Sequence, residues 1–180
     1  MPRTTTEQIF VALFGLVQTV QGADWAGNPI PLQYFSRNWA KVGGTAEGTM
    51  PALYQWDPRQ EQDVRTGLGR SRRKLHALVD IRIQVQQADQ YPDVVTTSPT
   101  PSGPLSTILN NWADNLYNMF SPSDGGPQQL QWLPNGTVYP GALPYGAIAD
   151  CYPTEMRVDR GGDASRVAVI QAMIEIITGG

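Results

Sequence analysis

One cysteine, Cys151, and one histidine, His76, are all that 180 residues contain of the two strongest transition-metal ligands. A single cysteine excludes an internal disulfide and a cysteine-rich zinc site, and a single histidine leaves few ligands for any other transition metal. No metal or cofactor is expected, and the composition suits a reducing cytoplasm. Excess charge is missing too: 13 basic and 16 acidic residues give a formal net charge of −3, so the whole molecule is no electrostatic match for nucleic acid. Long hydrophobic runs are also absent. The N-terminal run IFVALFGLV is shorter than the roughly 20 residues a membrane-spanning helix needs, and Glu7, Gln8 and Gln18 break the basic-to-apolar order of a secretory signal. No membrane partner is expected.

Catalytic patterns are equally scarce. The carboxylates show no paired spacing, and Gly67 to Arg70, GLGR, lacks the following Lys-Ser pair of a phosphate-cradling loop. His76 has no evident nucleophile or orienting partner. Cys151 reads as small buried filler, and the sequon Asn135-Gly136-Thr137 reads as a turn. The chain is expected not to be an enzyme.

What is present is the material for one core: 41% of residues are hydrophobic and 9% aromatic, enough for a single domain over 1–180. Ile9, Leu13, Leu16, Val17 and Val20 form one stripe of an amphipathic helix, with Thr4-x-x-Glu7 as its capping box and Gly22 as its stop. Ile30 to Trp39 reads as an extended segment entering at an edge past Pro29 and Pro31, and Pro51 to Trp56 as a second short strand. The clearest strand is Lys74 to Gln86. Leu75, Ala77, Val79, Ile81, Ile83 and Val85 share one parity, whereas His76, Asp80, Arg82 and Gln84 share the other, predicting one buried and one wet face. Leu105, Ile108, Leu109, Trp112, Leu116, Met119 and Phe120 recur at helical spacing, begun by Pro104 and ended by Ser121-Pro122. Pro134-Asn135-Gly136 predicts one hairpin turn, and Cys151 to Val158 with Arg166 to Ile177 a second hairpin. The fold class is therefore α+β, a mostly antiparallel sheet packed against two helices, with exposed loops near 41–50, 57–73, 87–104 and 121–150.

Three features point outward. The last strand, phased with Ala168, Ile170, Ala172, Ile174 and Ile176 inward, leaves Val167, Val169, Met173 and Ile177 on its other side, a row that a second layer or a neighbouring subunit must shield. The glycine-rich insert Gly43 to Thr49, with Gly43, Gly44, Thr45, Glu47 and Thr49, is flanked by Trp39, Tyr54 and Trp56, which are expected in the sheet and core. The run RTGLGRSRRK holds five of the 13 basic residues, Arg65, Arg70, Arg72, Arg73 and Lys74, and no acid.

The words Ser36, Arg37 and Trp39, followed by Pro51, Ala52, Leu53 and Tyr54, in this order of elements, resemble the tail terminator proteins of long-tailed bacteriophages. The resemblance spans most of the chain as an order of elements and is carried at residue level by those short words. It departs in the insert 43–49, the connection 57–73 and the segment 128–150. It implies a virion protein assembled in the host cytoplasm, a closed ring of six copies at the head-proximal end of the tail. Such a ring caps the tail tube, stops its growth and docks the head connector or a head-completion protein, while viral DNA passes through its bore without sequence-specific binding. On that reading Arg70, Arg72, Arg73 and Lys74, with Val167, Val169, Met173 and Ile177, are interface candidates, and the insert 43–49 is the axial contact loop. The arginines are expected to meet acidic protein rather than DNA, because phosphate contacts repeated in every subunit would brake the genome. Competing readings are a head-completion protein, a tail-tube subunit, or a soluble enzyme with a site that sequence does not connect.

Overall fold

The computed structural model describes residues 4–23, 27–37, 50–57, 62–66, 70–84, 105–120, 143, 147–159 and 167–179. The first element, α1, is Thr6–Val17. Its cap lies one residue later than Thr4-x-x-Glu7: the Gln8 N–H donates to Thr5 Oγ1 and the Thr5 N–H donates to Gln8 Oε1. Glu7 is thereby released to bind Arg37. The predicted stripe is buried throughout, and each large aliphatic in it contributes about 1.5–3 kcal/mol by leaving water. The helix ends at Val17 with Gln18 as C-cap, not at Gly22. Gly22 instead lies in β1, Gln21–Ala23, which pairs antiparallel with β2, Pro29–Pro31.

The single extended segment expected over 30–39 is thus two strands in two sheets. Beyond the short ribbon β1–β2, β3 (Tyr34–Ser36) lies parallel to β4 (Ala52–Trp56) at one edge of the main sheet. The stretch 57–73, expected as a loop, contains β5, Gln62–Thr66, and the start of β6, Arg70–Gln84, which pair as a hairpin. The apolar pattern of β6 starts only at Leu75, so its polar first residues carry no periodic signal. Helix α2, Leu105–Asn118, follows, then β7, Ile148–Asp159, and β8, Val167–Thr178. The start of β7 takes the last residues of the expected loop 121–150, and β7–β8 is the predicted C-terminal hairpin.

The main sheet runs β3-β4-β6-β8-β7, with β5 on β6. Among the described residues only β3–β4 is parallel. Both helices cover one face. Leu75, Ala77, Val79, Ile81 and Ile83 of β6 and Ala168, Ile170, Ala172, Ile174 and Ile176 of β8 form one core with α1 and with Leu109, Trp112 and Leu116 of α2. The fold is therefore α+β, and β8 has the predicted phase. Trp112 lies so close to Gly22 that a Cβ there would overlap its indole ring, and the Asn115 amide donates to Gln21 O at 2.7 Å. These two contacts fasten α2 to β1.

Candidate functional site

The sheet face turned away from the helices gathers the polar and charged side chains, and it is not the wet face that alternation predicts. Asp80 is only 1% exposed and Tyr54 is fully buried. One row across three strands is Tyr152, Glu175 and His76. Glu175 Oε1 accepts from the Tyr152 hydroxyl at 2.5 Å, and Oε2 lies 2.7 Å from Lys74 Nζ and 3.3 Å from His76 Nε2. Burial pushes the Glu175 carboxyl up, but the hydrogen bonds from Lys74 and Tyr152 outweigh it and hold the group below the ordinary range. The same bond to Glu175, with burial second, raises the Tyr152 phenol to about 12. A carboxylate with its lone pairs taken by three donors is a poor general base, and a phenol raised that far is a poor acid near neutrality. The network binds β6, β7 and β8 together rather than offering a reactive group.

A second row, Ser36–Tyr54–Asp80–Gln171–Arg157, crosses the whole sheet. Asp80 Oδ2 is 3.5 Å from Arg82 Nη2, and the Arg82 guanidinium lies over the Tyr54 ring, 5.9 Å from its centroid. Among the described residues Tyr54 Oη, Asp80 Oδ1 and Arg82 Nε are buried polar atoms without a hydrogen-bond partner. Burial raises the Asp80 carboxyl above its ordinary value despite the opposing charge of Arg82.

The predicted interface residues separate. Val167, Val169, Met173 and Ile177 are half-buried together on this second face of β8, as phased. Arg72 is exposed, but Arg73 points to the opposite side because neighbouring strand residues alternate. Its guanidinium donates to Thr6 Oγ1 at 2.7 Å and Thr4 O at 3.0 Å, and its N–H donates to Thr178 Oγ1. The expectation that Arg73 meets another molecule is corrected: it holds the start of α1 within its own chain. Lys74 likewise binds Glu175. Arg70 is the register partner of Thr66 in the β5–β6 hairpin. The loop residues Gly43, Gly44, Thr45, Glu47 and Thr49, the flanking Trp39 and the hairpin at Asn135-Gly136 lie outside the described residues. Of the aromatics expected in the core, Tyr54 is buried and Trp56 is 46% exposed.

Two groups escape sequence reasoning. Glu175 shares the parity of Val167, Val169, Met173 and Ile177, so the row read as apolar includes a carboxylate, and the polar parity of β6 was the available signal for its partners. Arg37 is the other: its Nε and Nη2 donate to Asp57 Oδ2 at 3.2 and 2.6 Å, and its Nη1 and Nη2 donate to Glu7. The Gln55 amide, buried on the helix side, donates to Phe10 O and Asp57 Oδ1. Together they lock α1 to β3 and β4. Cys151 is buried, and burial pushes its thiol well above the ordinary value. Among the described residues no three metal-ligating side chains converge, and no helix is long and apolar enough to cross a membrane. The chain matches no protein-family model, and no curated protein is significantly similar to it.

Proposed function

We propose that this chain is a structural virion protein of the tail-terminator type, a closed ring that caps a phage tail tube and presents a docking surface to the head connector. The observation that carries the reading is the placement of the two words behind the resemblance. Ser36 and Tyr54, one from each, are register partners on β3 and β4, within a sheet-and-two-helix fold of the implied element order. The half-buried row Val167, Val169, Met173 and Ile177 supports it by giving the sheet's second face an apolar strip beside the polar network. A ring uses two different patches of one molecule, each complementary to the other, and a lasting contact buries upwards of roughly 1,000 Å². Within the basic run Arg73 and Lys74 are held by their own chain, which favours a bore through which DNA slides over one that grips phosphates.

Native mass measurement and negative-stain imaging of the purified protein test the proposal. A single hollow ring that does not stack is expected. A compact monomer at all concentrations refutes a neck component, and axial polymers refute a terminator in favour of a tube subunit.

A further inference from the structure

We draw no further inference here: the strongest candidate, the apolar surface patch of Val11, Phe14 and Phe35 where α1 meets β3, carries nothing because nothing in the structure shows what covers it.

Discussion

Replacing Gly22 by alanine is a sharp test of how α2 is seated. Its backbone is not in the left-handed region, so space alone demands glycine. A Cβ there would lie inside the indole of Trp112, which is itself fully buried against β1, with α2 also tied to that strand by the Asn115 bond. Forcing a methyl into such a contact costs about 1–3 kcal/mol. Trp112→Ala removes a buried aromatic and leaves a cavity, costing about 3–5 kcal/mol. In a domain of this size each 1 kcal/mol lowers the melting temperature by roughly 2–4 °C, so both effects are within reach of thermal or urea melts. The two substitutions should not add. Once the indole is gone the methyl introduced by Gly22→Ala has room and fills part of the cavity, so the double variant should be no less stable than Trp112→Ala alone, within about 0.5 kcal/mol. A double variant whose loss equals the sum of the two singles would refute the proposed contact.

Tyr152→Phe should lower the unfolding free energy from urea melts at neutral pH by about 1 kcal/mol. Because the folded phenol is raised from 10.0 to about 12, its contribution is complete below pH 10 and is lost as the pH rises through about 12. The gap between the two proteins should close across that window, and a constant gap would contradict the bond to Glu175. Asp80→Asn should stabilise at neutral pH by about 1 kcal/mol, since a buried carboxylate with one unpaired oxygen is costly. The folded carboxyl is raised, so this group favours the fold at low pH and that benefit is lost as the pH rises through its folded value. The gain from asparagine should therefore fade as the pH falls through the raised folded value and be gone below the ordinary 3.8, and an equal gain at neutral pH and below 3.8 would sink the idea. Arg37→Ala should cost about 1–2 kcal/mol through the lost bonds to Asp57, and Arg37→Lys should recover only part of it because one ammonium cannot reproduce the fork. Full recovery in thermal melts would make the clamp a simple charge effect.

The helices and the inward faces of β6 and β8 were legible because burial imprints a period on them. Ile9 to Val20, Leu75 to Ile83 and Ala168 to Ile176 needed no structure to be placed. On the other face of β6 the signal blurs: alternation predicted water for Asp80, yet Asp80 is buried, because alternation separates polar from apolar and not dry from wet. The pairing of His76, Glu175 and Tyr152 was illegible because it joins three strands whose register no local pattern sets. Arg73 was misplaced for a simpler reason. The stretch before it lacks apolar periodicity, so the alternation that turns Arg72 and Arg73 apart was invisible. The expected loop 43–49 lies outside the described residues.

The pairing of β6 with β8 joins segments about 80 to 100 residues apart in the chain, and the Arg73 N–H reaches Thr178 across 105 residues. During synthesis the central strand therefore emerges long before the strand that completes it. Until β8 leaves the ribosome, the row Leu75 to Ile83 has no β8 to pair with, and a chain ended before Val167 cannot bury it in this way. The protein should accordingly fold late and slowly for its size. Premature termination or a slow codon stretch near the C-terminal hairpin should then send more of it into aggregates than a comparable lesion in the ribbon β1–β2 would.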